Sequence, residues 1–168
     1  SLSRCDGMEF KNFSGSDGLR GNEVFNMYED KTGRLWLFTF NGEPSYYYNG
    51  KFYNSDNDDL LSKLPVLSYI NAMYEDGNAI YIGYLNGTLI KITQEKIKWL
   101  RKCADGPDLL QAFVKKSDSL IAVSSETYTY LKDDRIVNVK KVMANKSFAY
   151  NDNLITSTHA GIRMLDNM

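Results

Sequence analysis

The chain has 168 residues, enough for one domain with its own core or for a large piece of something bigger. Hydrophobic residues make up 43% and charged residues 24%, which describes a globular, soluble chain. The formal net charge is −1, with Lys and Arg interspersed among Asp and Glu, so the concentrated positive footprint that nucleic acid needs is missing. No apolar run approaches the roughly 18–20 residues of a membrane span, and no signal-peptide pattern is visible. A first residue of Ser implies a sequence cut from a longer protein, with any leader or anchor outside these residues. The 12 Tyr, 8 Phe and 2 Trp favour strands, because aromatic side chains suit a pleated, half-buried surface.

In chain order, the first predicted element is a strand over residues 8–13, Met8 to Phe13. A fourfold repeat follows. Its first copy runs through Val24–Asp30, the turn Lys31-Thr32-Gly33 and Arg34–Phe40. Asn41-Gly42 is a strong two-residue hairpin signal, and Asn49-Gly50 repeats it between Ser45–Tyr48 and Lys51–Tyr53. One helical turn is expected in the loop Asp58–Leu64. The second copy reads Ile70–Asp76, Gly77-Asn78, Ala79–Tyr84, Asn86-Gly87, Thr88–Ile92 and Lys96–Leu100, and Met-Tyr-Glu-Asp recurs at the same place in the pattern. The third copy is Leu110–Val114, Leu120–Val123, Tyr128–Leu131 and Arg135–Val139. The fourth is Ser147–Tyr150, the turn Asn151-Asp152-Asn153, Leu154–Thr158 and Gly161–Leu165.

Aligned on the second strand of each copy, Trp36, Tyr81, Ile121 and Ile155 fall in register, at spacings of about 45, 40 and 34 residues. Four short hairpin-connected strands per repeat of about 40 residues is the signature of a β-propeller. The fold expected is therefore all-β, a propeller region of about four four-stranded antiparallel blades over 1–168. The blades fall at about 15–55, 66–101, 108–141 and 146–168, and residues 8–13 are a spare outer strand. That strand either completes the last blade of a small closed ring or ends a preceding blade of a half-ring, the latter completed by more chain or by a second copy. Cys5 and Cys103 read as unrelated thiols that could pair only if the two ends of the chain meet.

The first copy, Ser16-Asp17-Gly18-Leu19, Asn22-Glu23-Val24, Glu29-Asp30-Lys31-Thr32-Gly33-Arg34-Leu35-Trp36 and Thr39-Phe40-Asn41-Gly42, resembles the repeat of two-component regulator propellers. The second keeps Tyr74-Glu75-Asp76, Ile80-Tyr81-Ile82-Gly83 and Asn86-Gly87, with Tyr81 in the tryptophan position. About half of the chain carries the motif. The resemblance implies a periplasmic sensor region, outside the cytoplasm, joined through a membrane helix to a histidine kinase of the kind found in Bacteroidetes-like bacteria, and often linked to glycans or other nutrients. The phosphoacceptor and ATP-binding parts of such a kinase are not among these residues.

Asp30 and Asp76 precede turns and read as turn caps that accept backbone N–H groups, rather than as cation ligands or acids, because the position recurs beside turn glycines. Gly33, Gly42, Gly83 and Gly87 belong to the same structural set. Trp36 and Tyr81 are expected to pack between neighbouring blades, with Phe25, Phe38, Tyr28 and Tyr74 beside them. The most suggestive feature outside the motif is the run Tyr46-Tyr47-Tyr48 with Phe52 and Tyr53. Exposed, these rings would contact a small molecule, a carbohydrate or a protein partner; buried, they would pack laterally against adjacent blades. His159 lacks the acid and nucleophile of a triad, and Asp56–Asp59 lacks the glycine and terminal glutamate of a calcium loop. The expectation is a non-catalytic module with no cofactor, no metal, no nucleic acid and no membrane contact of its own. The alternative is an interaction or dimerisation scaffold that forms a homo-oligomer.

Overall fold

The computed structural model describes residues 2–94, 96–102, 108–150 and 153–165. Among these, seventeen strands form five antiparallel sheets of two, four, four, four and three strands. The chain divides into two compact units, Ser1–Ile70 and Asn71–Met168. Cys103 and the turn residues Asn151 and Asp152 lie outside the described residues; Cys5 is an exposed free thiol.

In the first unit, β1 (Leu2–Cys5) and β2 (Phe10–Phe13) make a hairpin in the register Leu2↔Phe13 and Cys5↔Phe10. The spare strand expected over 8–13 is therefore shorter and has a partner of its own. Asp6-Gly7 is the signal that marks it: Asp6 Oδ1 accepts the N–H groups of Met8 (3.2 Å) and Glu9 (3.0 Å), and Gly7 takes a φ of 97°. Next comes the first blade, ordered β3 (Val24–Glu29), β4 (Leu35–Thr39), β5 (Ser45–Tyr48) and β6 (Lys51–Tyr53). Asn49 and Gly50, with φ of 46° and 83°, supply the two left-handed residues that a tight β5–β6 hairpin needs.

Alternation along these strands sends Leu35, Leu37, Tyr47 and Phe52 to one face, where they meet Phe13, Leu19 and Leu2 in a single apolar cluster. The β1–β2 hairpin thus covers one flank of the first blade, as the outer half of a preceding blade would. The expected helical turn is a 3-10 turn over Leu61–Lys63. It starts because Asp58 Oδ1 accepts the N–H groups of Leu60 (2.9 Å) and Leu61 (2.8 Å).

The second unit holds three blades. The strands are β7 (Ile70–Asp76), β8 (Ala79–Tyr84), β9 (Leu89–Ile92) and β10 (Ile97–Arg101), then β11 (Leu110–Lys116), β12 (Ser119–Ser124), β13 (Thr127–Lys132) and β14 (Arg135–Lys141), then β15 (Lys146–Tyr150), β16 (Asn153–Thr158) and β17 (Gly161–Leu165). Each sheet is a meander in sequence order, as the repeat requires.

Flank packs on flank. Leu110, Phe113, Leu120, Ala122 and Leu131 of the third blade meet Ala72 and Leu89 of the second, with Tyr74 and Tyr81 alongside. The opposite flank of the third blade, with Ala112, Val114, Ile121 and Val123, receives Leu154 of the fourth. Burying each such side chain contributes roughly 1.5–3 kcal/mol. Gly83 shows how tight this fit is. A Cβ there would lie 1.5 Å from Leu110 Cδ2, so only glycine lets the third blade's leucine reach the second blade's backbone.

Candidate functional site

The first-blade motif builds a hydrogen-bonded hub around Asp30. Its Oδ1 accepts from Thr32 N (3.0 Å), Thr32 Oγ1 (2.6 Å) and Arg34 N (3.0 Å); its Oδ2 accepts from Arg34 Nε (2.7 Å) and Trp36 Nε1 (2.9 Å). The turn is closed by Gly33 N donating to Asp30 O, with Gly33 at a φ of 81°. Burial alone raises the Asp30 pKa, but the hydrogen bonds from Thr32, Trp36 and Arg34 outweigh it and hold the carboxyl at about 2. The group is ionised, saturated with donors and 4% exposed, so no lone pair is left for a substrate proton or a cation.

Trp36 is fully buried, and the Arg34 guanidinium lies 5.3 Å from the Trp36 ring and 5.4 Å from the Tyr46 ring. Tyr46 in turn stacks on Tyr53 at 4.9 Å and 19°, and its hydroxyl donates to Asp58 Oδ2 at 2.5 Å. Burial first, and then this bond, push the Tyr46 phenol above its ordinary value.

The five-residue aromatic run divides between two packed faces. Tyr46 and Phe52 are each 6% exposed; Tyr47, Tyr48 and Tyr53 are half-buried. Phe52 packs edge-on against Phe13 at 5.1 Å and Tyr47 lies 5.7 Å from it, under the N-terminal hairpin. The strand period of two sends Tyr47 and Phe52 to the flank that the N-terminal hairpin covers and the paired Tyr46 and Tyr53 to the other.

A different aromatic group is partly open, and of its three rings the sequence pointed only to Phe25, as a ring between blades. Phe25, Phe40 and Tyr69 form a triad with centroids 4.8–5.5 Å apart, and Phe40 is 59% exposed. Phe25 sits where the β3–β4 register shifts between Val24 and Asn26, the signature of a bulge that re-aims a side chain. Gly42, at a φ of 73°, lets this corner close: a Cβ there would lie 3.0 Å from the carbonyl oxygen of Ser68, next to Tyr69. Three aromatics far apart in sequence leave no local motif, which is why pattern reading passes over the group.

In the second unit, Asp76 takes another course. It is the last residue of β7 and pairs with Lys115 Nζ at 2.6 Å. This differs from the expected turn cap, because Gly77-Asn78 is one residue shorter than the first-blade turn and Tyr81 has no indole N–H to offer. Tyr81 is half-buried, with Lys91 Nζ 5.4 Å from its ring. Lys91 pairs with Asp134 at 2.7 Å, and Lys132 pairs with Asp118. Burial works against the charge of Lys91, but the Asp134 and Tyr81 contacts prevail and raise its pKa. These pairs line a cleft of about 410 Å³ between the second and third blades. Each of its three lysines faces a carboxylate, and Asp133 adds a fourth acid to the lining. Gly87 has a φ of 82° and lies under Arg101, whose Nε donates to its carbonyl at 2.7 Å. Among the described residues no group of three or more His, Cys, Asp or Glu could hold a metal ion.

Stacked four-stranded meanders packed flank to flank make this a β-propeller. Residues 18–41 match the two component regulator propeller family, the same residues that carry the resemblance in the sequence. The fold is shared with the extracellular domain of the putative hybrid two component system BT4673 from B. thetaiotaomicron, at 19% identity and a TM-score of 0.72, over 95% of this chain and 23% of that one. It is also shared with a catalytically inactive virginiamycin B lyase from Staphylococcus aureus, at 13% identity and a TM-score of 0.63, over 96% of this chain and 61% of that one. PorZ of Porphyromonas gingivalis is a third relative in structure, at 13% identity and a TM-score of 0.60, over 93% of this chain and 22% of that one. The chain therefore spans about a quarter of the length of the BT4673 domain. No curated protein sequence matches it. Identities this low carry a fold and not an activity. Among the described residues no helix is long and apolar enough to cross a membrane.

Proposed function

We propose that the chain is a non-catalytic ligand-recognition module of a periplasmic two-component sensor whose parent is a histidine kinase. The observation that carries this reading is the regulator-propeller repeat at residues 18–41, and the likeness to an extracellular two-component domain supports it. The ligand class we infer is a carbohydrate or a similar nutrient with an apolar face. The exposed ring of Phe40, backed by the half-buried Phe25 and Tyr69, offers a stacking platform for it. The absence of catalysis rests on Asp30: the motif's most perturbed carboxylate is spent on its own turn.

Calorimetric titration with a panel of neutral and acidic oligosaccharides tests the reading. Binding by at least one member is expected, with affinity lowered about tenfold by Phe40→Ala, the loss of one stacked ring. A panel in which nothing binds, or binding indifferent to Phe40 and Tyr69, overturns it.

A further inference from the structure

The chain has 2 tryptophans, and they lie in opposite settings. Trp36 is fully buried, whereas Trp99 on β10 is 41% exposed. Alternation puts Ile97 and Trp99 on one face of β10 and Lys98 on the other. No strand lies beyond β10 in its sheet, and the register slips between Trp99 and Arg101, so side chains of both faces reach one recess at this free edge. The recess has a volume of about 420 Å³, and its lining includes Lys91, Lys96, Ile97, Lys98, Trp99 and Asp134. Lys102 Nζ lies 5.4 Å from the Trp99 ring centroid, so a ligand that meets the ring meets an ammonium as well.

Charge separates this recess from the cleft beside it. The cleft is lined by three lysines and four aspartates, Asp76, Asp118, Asp133 and Asp134. Among the described residues the recess is lined by three lysines and one aspartate, and that carboxylate is already shared by Lys91 at 2.7 Å and Lys98 at 3.4 Å. Among the described residues no carboxylate pairs with Lys96 or Lys102. A partly exposed indole beside an excess of ammonium groups suits a ligand with a flat, C–H-rich ring and an anionic substituent. We propose that the Trp99 recess is a second ligand site of this module, one that takes an acidic sugar residue, with the ring stacked on Trp99 and the carboxylate or sulfate held by Lys96 and Lys102. The carbohydrate class rests on the function proposed above; the demand for charge comes from the lysines of this recess.

With Trp36 buried, quenching of tryptophan emission in the full chain reports on Trp99. The ratio of iodide to caesium quenching is expected to be about three-fold above that of free tryptophan amide, because the lysines concentrate anions. Lys96→Glu/Lys102→Glu is expected to abolish that bias. Lys63→Glu/Lys146→Glu, the same change of net charge at two exposed lysines elsewhere, is expected to keep it. The ligand arm uses an oligogalacturonate and a sulfated heparin oligosaccharide, each read by protection of Trp99 from iodide and by calorimetry. At least one is expected to bind and to shield Trp99. Its affinity is expected to fall about tenfold in Trp99→Ala and about tenfold in Lys96→Glu/Lys102→Glu, and to weaken with salt. The methyl-esterified oligogalacturonate, which keeps the rings and loses the charge, is expected to leave Trp99 unshielded. Equal binding of polyglutamate overturns the proposal, because an anion without sugar rings then suffices, and tighter binding of oligothymidylate overturns it by making nucleic acid the occupant. An iodide-to-caesium ratio no higher than that of the free amide overturns it, as do acidic sugars that leave Trp99 unshielded. A neutral oligosaccharide bound through Phe40, with Trp99 idle towards every acidic sugar, overturns this site alone. Acidic sugars at Trp99 with nothing bound through Phe40 overturn the Phe40 platform alone.

Discussion

The first and second blades spell Met-Tyr-Glu-Asp at the same point of the repeat, and the two aspartates end in different physical situations. Asp30 is buried and takes five hydrogen bonds from its own turn and from the indole of Trp36. Asp76 is 41% exposed at its side chain and reaches across to Lys115 of the next blade. What differs is the chain that follows. Thr32, Arg34 and Trp36 bring donors to the first carboxylate, whereas the second is followed by a shorter turn and a tyrosine. A motif position is thus a scaffold only where its donors come with it. In the first blade the acid organises a turn, and in the second it links neighbouring blades.

The comparison can be broken at several points, of which Trp36 is the most sensitive. Trp36→Ala removes a fully buried ring and one Asp30 donor, and is expected to lower stability by roughly 3–5 kcal/mol in urea unfolding. A loss under about 1 kcal/mol would place the ring at the surface. Asp30→Ala strands the buried Trp36 indole N–H and removes the carboxylate partner of the part-exposed Arg34 guanidinium, and is expected to cost about 3 kcal/mol by the same measurement.

Acid offers a softer version of that change. With a folded pKa of about 2 against an ordinary 3.8, Asp30 contributes its stabilisation fully above about pH 4 and loses it as the pH falls towards 2. The contribution is roughly 2 kcal/mol at neutral pH. In Asp30→Asn, that part of the acid-induced decline in Tm is expected to vanish. Gly83→Ala forces a methyl group onto Leu110 and is expected to cost about 1–3 kcal/mol, with partial recovery when Leu110→Ala is added. Smallest of all, Asp76→Ala is expected to cost under about 1 kcal/mol, and less still at high salt, because its ion pair is half in solvent.

Much of the architecture was legible in the sequence. Hairpin dipeptides and alternating runs placed the blade strands within a residue or two, since Asn-Gly turns and a period of two are local properties. The N-terminal hairpin was read as a single strand because Leu2–Cys5 is too short to alternate visibly, and Asp6-Gly7 was its only punctuation. The candidate site was less legible. Composition identified the Tyr46–Tyr53 run as aromatic but could not say which flank would be covered; Phe13, 34 and 39 residues upstream of Tyr47 and Phe52, decides that for them. The Phe25–Phe40–Tyr69 triad is assembled by a bulge and two loop ends, and no spacing rule announces it. The different fates of Asp30 and Asp76 lay in the donors two to six residues downstream.

The central claim is that the motif carboxylate of the first blade is a structural hub wired to Trp36. A double-mutant cycle of Asp30→Asn with Trp36→Phe, read by urea unfolding at neutral pH, tests it most directly, because Trp36→Phe keeps an aromatic ring and deletes the N–H. A coupling of about 1.5–3 kcal/mol, the range for a hydrogen bond to a charged group, is the expected result. Additive losses with no coupling would contradict it.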